Sequence, residues 1–244
     1  MFSKIVTAAC AAIAIGGCAS AATTKSEPVE LNSYILLDRT GSMDNIWDEA
    51  LSSVNAYVKS VVEPDDGPDV KNDITLAVFD SQSGMQFDVL RQNVKGTEWS
   101  DVTISEVSPR GMTPLFDAIG RIIAEADSDA PEKAVIVIMT DGKENSSVEF
   151  TREGAKSALD RAEAKGWQVV FLGAEFASFS DADAVGVDRS KQMAVSKDRL
   201  GVTMENLAKK NRSYAQEAES SVDFDDTDRE LAEEEDVKQR KGGN

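Results

Sequence analysis

Three separate stretches of the chain end apolar runs in short, oxygen-bearing side chains. In LLDRTGSM these are Asp38, Thr40 and Ser42; in PRGMTPLFDAIG, Thr113; in IMTDG, Asp141. Carboxylates and hydroxyls of this kind suit a hard divalent cation. Mg2+ takes six oxygens, commonly one or two carboxylates with several waters, and Mn2+ and Ca2+ are the alternatives. Gly41 would let the backbone turn sharply, so that alternate residues 38, 40 and 42 converge on one point, and Gly142 would do the same for Asp141. Each stretch alone also has a plain structural reading. Asp38, Thr40 and Ser42 could simply cap a strand-to-helix turn, Thr113 is placed as an N-cap before Pro114 in the favoured first-turn position, and TDG is a common turn. Asp44 reads more simply as a solvated acid of a first helical turn than as a support for the site.

What the chain lacks narrows the chemistry further. It has no histidine, which removes Ser-His-Asp and Cys-His catalysis, imidazole zinc sites and the usual general base near neutral pH. Its two cysteines are Cys10 and Cys18, so there is no CxxC metal or redox motif. A formal net charge of −18 and a pI near 4.4 argue against nucleic acid and anionic membrane surfaces as partners.

The elements that must position these residues follow from periodicity. Ser33–Asp38 reads as a first strand. Ile46, Trp47, Ala50, Leu51, Val54, Tyr57, Val58 and Val61 then recur at helical spacing, the stripe of a helix packed on one face. Ile74–Asp80 and Met85–Leu90 are strands joined closely enough to pair as a hairpin. Leu115, Phe116, Ile119, Ile122, Ile123 and Ala126 mark the next helix. Val135–Met139 carries no polar residue, as a central parallel strand covered on both faces would. A helix at Thr151–Gly166, a strand at Trp167–Ala174, a short strand at Gln192–Val195 and a helix at Asp198–Gln216 complete the series. This order predicts an α/β fold, a doubly wound, mostly parallel central sheet with helices on both faces. Ligands of such sheets sit outside the carboxyl ends of the strands, where strand order reverses.

Together, DRTGSM, PRGMTPLFDAIG and IMTDG resemble the three loops of a von Willebrand factor A (vWA) domain and its metal ion-dependent adhesion site. The family pattern is DxSxS in loop one, a threonine in loop two and an aspartate in loop three. The resemblance assigns Asp38, Thr40 and Ser42 to the first loop, Thr113 to the second and Asp141 to the third, over residues 32–215. Thr40 departs from the pattern by replacing the middle serine, which keeps the hydroxyl. The resemblance implies a three-layer fold and a Mg2+-type cation, with Mn2+ or Ca2+ possible. It also implies a role in adhesion or assembly rather than catalysis: the cation accepts a carboxylate from a protein partner. Two other readings remain. DRTGS is also similar to the DKTGT of P-type ATPases, and TDGKEN faintly to their GDGxND, which would make Asp38 the nucleophile of an aspartyl-phosphate phosphohydrolase. Alternatively, the metal is purely structural in a scaffold domain.

The ends of the chain carry their own signals. Lys4 and the apolar run Ile5–Ile15 have the form of a secretory signal, too short to span a bilayer. IGGC at Ile15–Cys18 is similar to a bacterial lipobox, making 1–17 a signal peptide and Cys18 a lipid-modified residue. ASA at Ala19–Ala21 offers ordinary signal cleavage instead, which would release a soluble secreted form. The expected location is the cell envelope, periplasmic or anchored to the outer membrane, with the lipid as the only membrane contact. Residues 18–31 read as a flexible tether and 216–244 as an acidic tail without a core, disordered or a solvated, fraying helix, since Glu217–Asp236 holds Arg229 as its one base and Val222, Phe224 and Leu231 as its main apolar residues.

Overall fold

The computed structural model describes residues 27–175 and 179–241. The expected signal segment 1–17, Cys18 and the tether as far as residue 26 lie outside the described residues. Six strands form one sheet: β1 (Val29–Asp38), β2 (Val70–Ser81), β3 (Met85–Lys95), β4 (Ala134–Thr140), β5 (Gln168–Ala174) and β6 (Gln192–Val195). Their order across the sheet is β3-β2-β1-β4-β5-β6. Every pairing is parallel except the β2–β3 hairpin. The chain runs outward from β1 to β3, then returns to place β4 on the other side of β1, so strand order reverses between β1 and β4.

Alternation along the central strands divides two cores. On β1, Ile35 and Leu37 face α1 (Trp47–Val61) and α5 (Leu200–Ala215), while Tyr34 and Leu36 face α2 (Leu115–Asp129) and α3 (Arg152–Ala164). On β4, Val135, Val137 and Met139 take the first side and Ile136 and Ile138 the second. Both faces of β4 are covered, which explains its unbroken apolar run. Trp47 and Tyr57 are core residues, as their stripe predicts, and Asp44 is exposed. Among the described residues no helix is long and apolar enough to cross a membrane.

Both boundary expectations need correcting. The strand β1 starts at Val29, inside the expected tether, and Leu31 is buried in the core. The acidic segment after α5 folds as far as Lys241. It contains α6 (Asp226–Leu231) and α7 (Glu234–Lys241), with α4 (Ser180–Ala184) the remaining short helix. Val222, Phe224 and Ala232 join the α1–α5 core, and Val237 the other. The segment builds no core of its own; it borrows the edge of one already formed. The Phe224 N–H donates to the Ser190 carbonyl and the Ser196 N–H to the Ala232 carbonyl, so the segment runs beside β6 and covers an edge that would otherwise leave strand groups unpaired.

Candidate metal centre

Five oxygen-bearing residues from three loops meet outside the carboxyl ends of β1 and β4, at the reversal of strand order. Asp38 is the last residue of β1 and has no exposed surface. Its Oδ1 accepts the Thr40 N–H at 2.7 Å, and its Oδ2 accepts the Thr140 hydroxyl at 2.5 Å. The Thr40 and Ser42 hydroxyl oxygens lie 3.1 Å apart. Ser42 donates to Asp141 Oδ1 at 2.6 Å, and Thr113 donates to Thr40 Oγ1 at 3.4 Å. The network joins all five expected residues. Asp38, Thr40 and Thr113 form a buried floor, and Ser42 stands exposed at the rim.

The local structure frees these side chains for the site. Thr113 is not the cap of α2: the helix begins at Leu115, Pro114 holds the cap position, and no side chain caps it. The Thr113 backbone is instead pinned by Asn145, whose Oδ1 accepts the Thr113 N–H at 2.9 Å while its own N–H donates to the Thr113 carbonyl at 3.0 Å. The loop carrying Asp141 is tied down by two further acids. Asp117 accepts the N–H groups of Val148, Glu149 and Phe150, and Glu144 accepts those of Phe116, Ser146 and Ser147. Asn145 and Thr140 were not legible as site residues in the sequence. The one available signal was a hydroxyl at the final position of an otherwise apolar strand.

The donor set fits a hard cation. It is all oxygen, with two carboxylates and three hydroxyls. Gly142 closes the cradle without filling it: a Cβ there would stand 3.1 Å from Thr113 Oγ1, 3.6 Å from Ser42 Oγ and 3.9 Å from Asp38 Oδ2. Among the described residues no three Asp, Glu, His or Cys side chains gather as metal ligands, so a cation here would depend on the hydroxyls. Burial pushes the Asp38 carboxyl up to about 7, against the hydrogen bonds from Thr140 and Thr40, and neighbouring Asp141 pushes the same way. A cleft of about 490 Å³ opens from Ser42 and Asp141 and is lined also by Glu175, Lys197 and Arg240.

No family model matches the sequence, and no curated protein matches it. Solved structures do match. The pilus adhesin SpaC from Lactobacillus rhamnosus GG, in an open conformation, aligns with a TM-score of 0.59 at 16% identity, over 77% of this chain and 30% of that one. The vWF domain of the type V pili tip protein Mfa5 from Porphyromonas gingivalis aligns with a TM-score of 0.56 at 12% identity, over 74% of this chain and 94% of that one. This chain has a von Willebrand factor A fold. A third vWA neighbour is proximal thread matrix protein 1 from the mussel byssus with a zinc-occupied MIDAS motif, at a TM-score of 0.53 and 15% identity, over 75% of this chain and 48% of that one. The chain thus spans about a third to a half of the length of SpaC and of the thread protein, and nearly all of the Mfa5 domain. At these identities the likeness concerns the vWA fold; the site is read from this chain's own residues.

Proposed function

We propose that the chain is a metal-dependent protein-binding module of the cell envelope, serving adhesion or assembly. Asp38, Thr40, Ser42, Thr113 and Asp141 would hold a Mg2+-type cation, with Mn2+ or Ca2+ as alternatives. The observation that carries this reading is the meeting of three hydroxyls and two carboxylates around the space that Gly142 leaves open. Bound there, the cation would supply an electrophilic position for a carboxylate of the partner, which lets an acidic protein bind an acidic group. The chain's own residues prepare that event. Thr140 and the Thr40 N–H fix the Asp38 carboxylate, Asn145 holds Thr113 in reach, and Lys197 and Arg240 give the adjoining cleft cationic groups.

The pilus adhesin SpaC and the pili tip protein Mfa5 lend support to adhesion as the role, and the zinc-occupied thread protein to a divalent cation. Envelope location rests on the sequence: a signal at 1–17 and lipidation at Cys18 would place the domain in the periplasm or on the outer membrane. The phosphohydrolase alternative finds less support. Both Asp38 oxygens are engaged by hydrogen-bond donors and the carboxylate is fully buried, a poor setting for in-line attack on a phosphoryl group.

The test is capture of envelope proteins by the wild-type chain and by Thr113→Ala, with and without chelator. We expect one set of acidic-motif partners that wild type retains only without chelator and that Thr113→Ala fails to retain. Equal capture under all four conditions would overturn the reading.

A further inference from the structure

Arg39 stands between two of the candidate ligands, Asp38 and Thr40, yet it is buried and turned away from them. Its Nε donates to Asp80 Oδ2 at 2.5 Å and its Nη2 to Asp88 Oδ2 at 2.6 Å. Asp80 lies at the end of β2, fully buried, and Asp88 on β3, half exposed. A second arginine reaches the same acid: Arg110, from the stretch leading to Thr113, donates through Nε to Asp80 Oδ2 at 3.2 Å. The backbone follows the side chains. The Arg39 N–H donates to the Phe79 carbonyl at 3.1 Å, the Arg39 carbonyl accepts the Arg110 N–H at 2.7 Å, and the Gly41 N–H donates to the Gly111 carbonyl at 3.3 Å. Gly111 has φ +72°, and a Cβ there would lie 2.8 Å from the Ser81 carbonyl oxygen, so the second loop is pressed directly onto the end of β2.

We infer that Arg39 is a positioning residue of the cation site: its buried fork to Asp80 and Asp88 locks the first loop to β2, β3 and the second loop, setting Thr40 and Ser42 against Thr113. This rests on the cation reading above. Neither Asp80 nor Asp88 belongs to the candidate ligand set, and Arg39 donates its hydrogen bonds away from that set. The clamp therefore acts on where the hydroxyls stand. Substitutions that keep the charge separate this role from a merely electrostatic one. A lysine in place of the guanidinium would leave metal binding unchanged if charge alone mattered. If placement matters, loss of the fork weakens binding. Lysine keeps the charge but, as a point donor, cannot reproduce the planar fork between two carboxylates.

The experiment is titration of Mn2+ into wild type, Arg39→Lys and Asp88→Glu by calorimetry, with the melting temperature of each recorded in chelator and in saturating Mn2+. Outer partners of metal ligands typically carry about 10–100-fold of affinity. We expect Arg39→Lys to weaken Mn2+ about tenfold or more and to shrink the stabilisation by Mn2+. Asp88→Glu keeps the charge but displaces the half-exposed carboxylate that Arg39 and, at 3.9 Å, Arg110 both face; it should weaken Mn2+ about threefold with the fold intact, which keeps the test open if Arg39→Lys fails to fold. Affinity unchanged within twofold, or tighter, in the folded variants would overturn the clamp while leaving the site. No titration by wild type would overturn both.

Discussion

Asp38 and Glu234 are both buried carboxylates beside the sheet, and their surroundings are opposite. Asp38 accepts only from neutral groups, the Thr40 N–H and the Thr140 hydroxyl, and its nearest charged influence is another acid, Asp141. Glu234 lies among cations: Arg189, Arg229 and Lys238 all reach it, and it also accepts the Ala194 N–H of β6. The electrostatic outcome follows. Burial raises the Asp38 carboxyl to about 7 because nothing positive offsets it. Burial also pushes Glu234 up, but Lys238, the Ala194 amide and Arg229 together bring it below the ordinary carboxylate range. Glu234 is a finished structural device that fastens the C-terminal segment to the sheet edge. Asp38 is an unfinished one, and its missing charge is of the sign the proposed cation would bring.

The largest expected effect breaks the comparison at its metal end. Asp38→Ala should remove measurable Mg2+ or Mn2+ binding, a loss of at least about 100-fold, because the only fully buried carboxylate of the set is gone. Glu234→Gln should titrate Mn2+ within about twofold of wild type. Calorimetry on the two variants side by side checks this; metal loss in Glu234→Gln as well would mean that the two regions are not independent.

The order of effect reverses when stability is measured in chelator. Glu234→Gln keeps an acceptor for the Ala194 N–H but strips the charge from three cationic partners. It should cost about 2 kcal/mol in urea unfolding, and the C-terminal segment should become the first site of proteolysis. Above about pH 7, where native Asp38 is ionised, Asp38→Asn removes an uncompensated buried charge and should be neutral or stabilising. A large destabilisation by Asp38→Asn would show that Asp38 serves the fold, not a ligand.

This contrast also marks what the sequence made legible. The unbroken apolar run of Val135–Met139 and the helical stripes predict the sheet and its layers, because each element's pattern is local. Asp38, Thr40, Ser42, Thr113 and Asp141 were legible as a set because their motifs are short and each ends a strand or opens a helix. What escaped depends on contacts distant in the chain. Arg39 meets Asp80 and Asp88, 41 and 49 residues away, and nothing near it in the chain points to them. Asn145 is 32 residues from the Thr113 it pins. Val222, Phe224 and Val237 are too sparse to form a core, and nothing within their own window shows the sheet edge that accepts them. Thr113 meets the other candidate side chains but is not the N-cap that its place before Pro114 suggests, since Pro114 itself holds the cap.

The most discriminating effect lies in the pH dependence, because the two carboxylates should bend stability against pH in opposite directions. Native Glu234 titrates below its ordinary value of 4.5, so its contribution is complete above that pH and is lost as pH falls beneath it. Native Asp38 titrates near 7 against an ordinary 3.8, so between these values the native state holds a proton that the unfolded chain has released. The metal-free protein should therefore lose stability as pH rises from about 4 to about 7, and change little from this group above that. Saturating Mn2+ should abolish the falling limb on the alkaline side, since a cation holds Asp38 ionised in the native state without penalty. Asp38→Asn should abolish that limb without metal, and Glu234→Gln should leave it in place while flattening the acid one. Melting curves across this pH range, in chelator and in Mn2+, read all of these slopes. An alkaline limb that survives both Mn2+ and Asp38→Asn would assign it to another group and remove the electrostatic argument for a cation at Asp38, leaving the geometry of the hydroxyls to stand alone.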